Sequence, residues 1–346
     1  MANIYIVESP LQFLNALEAR HHFADGPHTL LVRTSAAGYP RQEAQMRRLL
    51  ALFPQAWDRV VTYAGDDWPH DELKRSVYFL LRLLPQQYER VFIGDPTSFI
   101  QRFLGLNVRA RQLFLLDDGV QSISLQKGPQ PVTVPLRGVA SPKRKLLRLF
   151  QRLPGIHLQA RKPLDLFTCF ALDRHPGQTV VRHDYAFLRR AVEAAPIVDS
   201  NAVYVLGTPM EEYNFVTEAS ARCLLQWIRE RWPSQRIVYV AHRRESDAKL
   251  ARIRDDYGFE VVAFDLPVEV AFRDQGISPR AIVSFYSSAM FTLGHLYRGA
   301  TITALRIPPA WLHADHRERI LALYRYMEDV STIDVVDYAA DLPEAP

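Results

Sequence analysis

The run Gln112-Leu-Phe-Leu-Leu-Asp-Asp-Gly119 decides the fold. Its apolar centre has the length and composition of a buried strand. Two adjacent carboxylates and a glycine end that strand abruptly, and Gly119 permits a sharp turn. In an open α/β sheet, ligands gather at the carboxyl ends of the strands. Asp117 and Asp118 are therefore read in one of two ways. Either one of them is a general base that takes a proton from an attacking hydroxyl, or both are solvated carboxylates of an Asp-Asp-Gly turn.

Working back from this run, further strands are expected at Ile4–Val7, His28–Arg33, Arg59–Tyr63 and Arg90–Gly94. Helical periodicity falls between them at Gln42–Phe53, Glu72–Leu84 and Thr97–Leu106. Strands alternating with helices predict a parallel sheet with right-handed crossovers, hence a Rossmann-like domain. The first crossover opens with Ser9 as N-cap, Pro10 at the first helical position and Gln12 completing a capping box. Leu11, Leu14 and Leu17 then recur at helical spacing. Ser9 and Gln12 either cap this helix or contact a substrate at the strand end.

Working forward, residues 119–140 break the rhythm. Ile123, Leu125, Val132, Val134 and Leu136 alternate about Lys127-Gly-Pro-Gln-Pro131, as a hairpin or loop excursion would. Lys143, Arg144, Lys145, Arg148 and Arg152 then intersperse Leu146, Leu147, Leu149, Phe150 and Leu153. Such a segment either lies on an anionic membrane surface or forms an ordinary surface helix. The polar region Arg174–Asn201 holds Pro176, Gly177, Pro196 and a helical pattern at Tyr185–Ala195. A domain boundary is placed here, giving residues 1–190 and 191–346.

A second alternating series comes next. Strands are expected at Ala202–Leu206, Arg236–Val240, Glu260–Phe264, Ala281–Phe285 and Thr301–Leu305. Helices are expected at Thr217–Arg231, Ser246–Tyr257, Ala289–Arg298 and His316–Glu328. At the strand ends stand Gly207-Thr208-Pro209, then His242, then Glu269, then Ser287-Ser288 at the start of a helix. Free N–H groups and hydroxyls at a helix start suit a phosphate. A histidine suits a phosphate oxygen, and a carboxylate suits paired ribose hydroxyls. Each also has a plain reading: a turn, a surface histidine, a solvated acid, a cap. Their common place at the strand ends of one sheet favours a nucleotide site.

Composition narrows the class. A chain of 346 residues, 48% hydrophobic and 23% charged, is globular and long enough for two cores. A net charge of +4 is too slight for a nucleic-acid binder and fits an anionic substrate or an anionic membrane surface. Cys169 and Cys223 make no metal or redox spacing. With no leader-like start and no apolar run of membrane length, a cytoplasmic protein is expected.

With these residues in hand, the chain resembles the bacterial GT-B sialyltransferases, above all the polysialyltransferase-like family. That family carries an Asp/Glu-Asp/Glu-Gly motif, a His-Pro motif and a Ser-Ser/Thr motif in that order. Here they read Asp117-Asp118-Gly119, His242-Arg243 and Ser287-Ser288, so the second departs from the pattern at Arg243. Ser9-Pro-Leu-Gln-Phe-Leu-Asn15 also looks like the family's opening loop and helix. The resemblance implies an α/β, GT-B-type fold of two Rossmann-like domains facing each other across a cleft. It implies inverting transfer of sialic acid, or a related nonulosonic acid, from its CMP conjugate to a hydroxyl of a surface glycan such as capsule or lipooligosaccharide. Asp117 would be the base, His242 the aid to phosphate departure, and Ser287 and Ser288 phosphate ligands. Gly207 would lie in the nucleotide pocket, with Glu269 on the ribose. Ser9, Gln12, Asp118 and Gly119 would lie on the acceptor side. No metal or other cofactor is expected, and no Asp-X-Asp occurs. The acceptor is a glycan, free or lipid-linked, with Lys143–Arg152 as the candidate membrane contact. Two other readings stay open: a GT-B transferase using a UDP- or GDP-sugar, and a non-catalytic glycan-assembly protein on the same scaffold.

Overall fold

A computed structural model describes residues 1–35, 40–64, 72–119, 122–123, 157, 160, 163–193, 197–330 and 332–338. The chain divides into two compact units, Met1–Asp184 and Tyr185–Pro346. The basic segment Lys143–Arg152 and most of the hairpin expected over 119–140 lie outside the described residues.

The first unit is built on a parallel sheet of β1 (Ala2–Val7), β2 (His28–Ser35), β3 (Arg59–Ala64), β4 (Tyr88–Ile93), β5 (Ala110–Leu116), β6 (Asp165–Thr168) and β7 (Val180–Arg182). Their order is β3-β2-β1-β4-β5-β6-β7. Helices α1 (Pro10–His22), α2 (Pro40–Leu52), α3 (Glu72–Leu83) and α4 (Phe99–Asn107) fill the crossovers. β1 is wholly buried, as continuous apolar strands are when helices cover both faces. The order reverses between β1 and β4, which opens a crevice at their carboxyl ends.

An aromatic row sets the register of this sheet. Tyr5, Phe92 and Phe114 are in-register partners on β1, β4 and β5. Their rings stack at 4.6 Å and 5.3 Å between centroids, at 5° and 15°. Phe23, just beyond α1, covers Phe92, Phe114 and Phe167 at 5.4–5.9 Å. Each such pair adds about 0.5–1.5 kcal/mol beyond its buried area. A one-residue slip would turn every side chain to the other face, so the row fixes where Asp117 leaves β5.

α1 starts as its sequence dictates. Ser9 is extended and its hydroxyl accepts the Gln12 N–H, with Pro10 at the first turn. The reciprocal bond is offset by one residue, since Gln12 Oε1 accepts the Glu8 N–H at 2.8 Å. Such a cap is worth about 1 kcal/mol.

The second unit repeats the winding. β8 (Ile197–Leu206), β9 (Arg236–Val240), β10 (Glu260–Val262), β11 (Ile277–Ser284), β12 (Thr301–Arg306) and β13 (Asp334–Asp337) form a parallel sheet ordered β10-β9-β8-β11-β12-β13. Helices α5 (Ala186–Glu193), α6 (Glu218–Arg231), α7 (Asp247–Tyr257), α8 (Val268–Asp274), α9 (Ala289–Leu296) and α10 (Ala314–Glu328) accompany it. Both units are thus Rossmann-like α/β sheets.

The division falls at 184/185, while the boundary expected at 190/191 lies inside α5. α5 belongs to the second unit because Leu188 and Val192 are buried and Arg189 Nη1 donates to the His295 carbonyl. The sequence reading passed over β6, β7 and β13. All are short, and β6 opens with a buried carboxylate, Asp165, whose Oδ1 accepts the Thr179 N–H.

Candidate active site

In the first unit the site begins where β5 ends. The Asp-Asp pair splits: Asp117 turns inward and Asp118 stays half-buried at the surface. Asp117 is 3% exposed. Thr168 Oγ1 donates to its Oδ1 at 2.7 Å and the Cys169 N–H to its Oδ2 at 2.8 Å. His183 Nε2 stands 3.9 Å from Oδ2, its ring stacked on Phe167 at 4.4 Å. Asn15 Nδ2 holds the Asp117 carbonyl at 2.9 Å. Burial pushes the Asp117 carboxyl up to about 6, although the bonds from Cys169 and Thr168 oppose this. A carboxyl near neutrality is tuned for a general base.

Asp118 takes the opposite surroundings. Its Oδ1 accepts from Ser9 Oγ at 3.3 Å, which ties the β5 loop to the cap of α1. Its N–H donates to Ser122 Oγ at 2.9 Å. Gly119 comes next at φ 67°, in the left-handed region that a side chain would strain. Ser9, Asp118 and Gly119 therefore do meet at one strand edge. Gln12 does not stand open to a substrate. It is 2% exposed, and its Oε1 is taken by the Glu8 N–H and Gln101 Nε2.

The crevice between β1 and β4 holds a carboxylate that the sequence reading did not single out. Glu8 Oε1 accepts from the Tyr63 hydroxyl at 2.8 Å and faces Arg33 at 3.4 Å, while Oε2 accepts from Gln101 at 3.2 Å.

In the second unit, strand pairing brings the predicted residues together. Gly207 N–H donates to the Val240 carbonyl, and Ser284 Oγ donates to the Leu206 carbonyl. The loops after β8, β9 and β11 thereby share one edge. At Gly207 a Cβ would lie 2.3 Å from Glu245 Oε2 and 2.9 Å from the His242 nitrogen, so only glycine fits. Thr208 is buried, and its hydroxyl has no partner among the described residues.

His242 is half-buried, and its backbone N–H donates to Glu245 Oε2 at 2.7 Å. Its Nδ1 accepts the Arg244 N–H at 3.2 Å, so the neutral ring carries its proton on Nε2. Burial pushes the imidazole down to about 4, and the charges of Arg243 and Lys249 add to this. At neutral pH the ring is thus an uncharged hydrogen-bond donor.

Ser287, not Ser288, caps α9: its Oγ accepts the Ala289 N–H at 3.3 Å. Ser288 is helical and makes no side-chain cap, which leaves its hydroxyl free for another acceptor. Tyr286, beside them, has its phenol raised by burial. Glu269 is 6% exposed, and its Oε1 lies 3.1 Å from the Thr292 hydroxyl. Burial raises its carboxyl, with Arg243 among the groups that temper the rise. Arg243, where the resembled family has proline, therefore places a cation near both His242 and Glu269.

Glu245, which stands in the run His242-Arg243-Arg244-Glu245 that ends β9 and looks familiar for the resembled family, was assigned no role, and Lys249, one helical turn on, was missed; both are buried. Thr168 and His183 were missed with the short strands that carry them. Among the described residues no group of three His, Cys, Asp or Glu is placed to hold a metal ion, and no helix is long and apolar enough to cross a membrane.

No protein-family model matches the chain, and no curated protein matches it. Among solved structures it is similar to an E. coli heptosyltransferase with ADP-2-deoxy-2-fluoro heptose, at 13% identity over 88% of each chain and a TM-score of 0.40. It is similar to a glycosyl transferase family 9 protein of Veillonella parvula at 10% identity, covering 99% of this chain and 88% of that one, with a TM-score of 0.45. Spinosyn forosaminyltransferase is similar at 12% identity, covering 98% of this chain and 86% of that one, with a TM-score of 0.48. At that identity none of them bears on the chemistry of Asp117 or His242.

Proposed function

We propose that the chain is an inverting glycosyltransferase that moves a nonulosonic acid from its CMP conjugate to a glycan hydroxyl. The observation that carries this reading is the gathering of Gly207, His242, Ser287 and Ser288 at one strand edge of the second unit, with the proton of His242 on Nε2. In the proposed reaction the bond from the sugar's anomeric carbon to the phosphate oxygen breaks. A bond from that carbon to the acceptor oxygen forms, and the acceptor proton passes to a carboxylate. Asp117 is assigned as that base and Glu269 as the ribose ligand. The leaving phosphate takes hydrogen bonds from His242 Nε2 and the Ser288 hydroxyl at the positive end of α9, which supply its charge stabilisation without a divalent ion. The donor's own carboxylate supports the oxocarbenium-like transition state.

One observation favours a second assignment within this reading. Asp118 is the more exposed member of the pair, and a base must reach its substrate. Asp118 would then take the proton while Asp117 braces the strand end.

The test is donor hydrolysis. CMP-sialic acid is incubated with the protein and a chelator, without acceptor, and released CMP is followed. Release that is lost in Asp117→Asn or Asp118→Asn, and in His242→Ala, supports the assignment. CMP binding without release moves the donor to another CMP-activated acid. Stabilisation by UDP or GDP in place of CMP overturns the donor class.

A further inference from the structure

Lys249 sits in the first turn of α7, where the Ser246 hydroxyl caps its N–H at 3.3 Å. Its side chain is 2% exposed. An ammonium taken out of water costs several kcal/mol unless it is well paired. Here its proton donors are accounted for: Glu245 Oε1 at 2.8 Å, the Thr208 carbonyl at 3.0 Å and Glu212 Oε2 at 3.4 Å. Glu211 Oε1 lies further off, at 3.7 Å.

The partners matter more than their number. Thr208, Glu211 and Glu212 belong to the loop after β8. Glu245 belongs to the turn after β9, and its side chain is fully buried. One Glu245 oxygen takes Lys249 and the Tyr239 hydroxyl, the latter at 2.6 Å. The other takes the His242 N–H and lies against Gly207. Glu212 also accepts the Ser246 N–H at 3.0 Å. The ammonium therefore ties together the two loops that carry Gly207 and His242. It also adds to the electrostatic pressure that keeps the His242 ring neutral.

We propose that Lys249 is a positioning residue for nucleotide binding: through Glu245 and the Thr208 carbonyl it locks the loop after β8 and the His242 turn into one arrangement. This rests on the proposed role of His242 as a phosphate ligand. Without the ammonium, the Thr208 carbonyl keeps only the local Met210 N–H and loses its link to α7. Glu245 and Glu212 are left as neighbouring like charges, with Glu211 still held by Arg252 at 2.6 Å, and the two loops separate.

A merely structural ion pair behaves differently. Replacing both members of a buried pair by uncharged groups is often neutral for folding, whereas removing one is not. The test is therefore Lys249→Met/Glu245→Gln, with Glu212→Gln as a milder, half-exposed variant that the fold accommodates. Three quantities are read: the melting temperature, the dissociation constant of CMP by calorimetry, and the titration of the His242 imidazole by NMR. The double variant is expected to melt near wild type while CMP binding weakens about tenfold or more and the His242 pKa rises. Glu212→Gln is expected to weaken CMP binding about two- to fivefold at an unchanged melting temperature. Wild-type CMP affinity and an unmoved His242 titration in either folded variant would overturn the proposal. If wild-type protein binds UDP or GDP in place of CMP, the proposed donor class fails, and the same comparison of variants with that nucleotide still decides the positioning role.

Discussion

Asp117→Asn separates the chemistry of that carboxyl from its place in the fold. The wild-type group titrates near 6 when folded against an ordinary 3.8 when unfolded. At about 1.4 kcal/mol per pH unit, that interval amounts to about 3 kcal/mol. The sign comes from proton binding. Between pH 3.8 and about 6 the folded chain keeps a proton that the unfolded chain has lost, so stability falls as pH rises through this window. Above about 6 the full penalty is present; below 3.8 it vanishes. Asparagine has no such titration. Its Oδ1 can accept the Cys169 N–H while its Nδ2 donates to Thr168 Oγ1, which orphans one hydroxyl proton at a cost of about 1 kcal/mol. The variant is therefore expected to be about 0.5 kcal/mol less stable than wild type near pH 4, and about 2 kcal/mol more stable at pH 8. Equilibrium urea unfolding at intervals from pH 4 to 8 measures the difference, in which groups common to both proteins largely cancel. A difference that stays flat across this range would refute the buried, proton-retaining carboxyl. Loss of turnover in the same variant, with stability intact, would assign its contribution to the reaction.

Asp118→Asn should cost less than about tenfold in turnover if Asp117 is the base, against about a hundredfold or more for Asp117→Asn; the reverse ranking hands the base to Asp118. The pH–rate profile should rise through about 6 as Asp117 ionises, and His242, neutral down to about 4, should add no step above pH 5. Gly207→Ala should destabilise the second unit by about 3–5 kcal/mol, the sum of overpacking and the displaced bond between Glu245 and the His242 N–H; a thermal melt equal to wild type would count against that close approach. Ser288→Ala should weaken CMP binding about two- to tenfold and leave the helix intact, whereas Ser287→Ala should also cost about 1 kcal/mol of stability through the lost cap.

Much of the scaffold was legible in the sequence. The long strands of both sheets announced themselves as apolar runs, and Ser9, Ser98, Thr217 and Ser246 cap the helices after them. The features that escaped did so for physical reasons. β6 and β7 are too short to show periodicity, and they carry Thr168 and His183 to Asp117. The two carboxylates could not be told apart, because a parallel sheet buried on both faces has apolar residues at either parity. Alternation then says nothing about which of Asp117 and Asp118 turns inward. The capping role of Ser287 was hidden by the serine beside it. Lys249 reads on paper as an ordinary exposed lysine, and only the folded chain brings Glu245, Glu212 and the Thr208 carbonyl around it.

The row of rings formed by Tyr5, Phe92 and Phe114 also decides where this protein tolerates a change in length. Deleting one residue between Phe114 and Asp117 would keep the ring in register yet deliver Asp117 to the opposite face, away from Thr168 and Cys169. Inserting one beyond Ile123 would leave ring, strand and carboxylate where they are, with Ser122 still accepting the Asp118 N–H. Descendants of this chain are therefore free to lengthen and reshape the segment beyond Ile123, while the spacing from Phe114 through Asp117 to Ser122 is inherited as a fixed gauge.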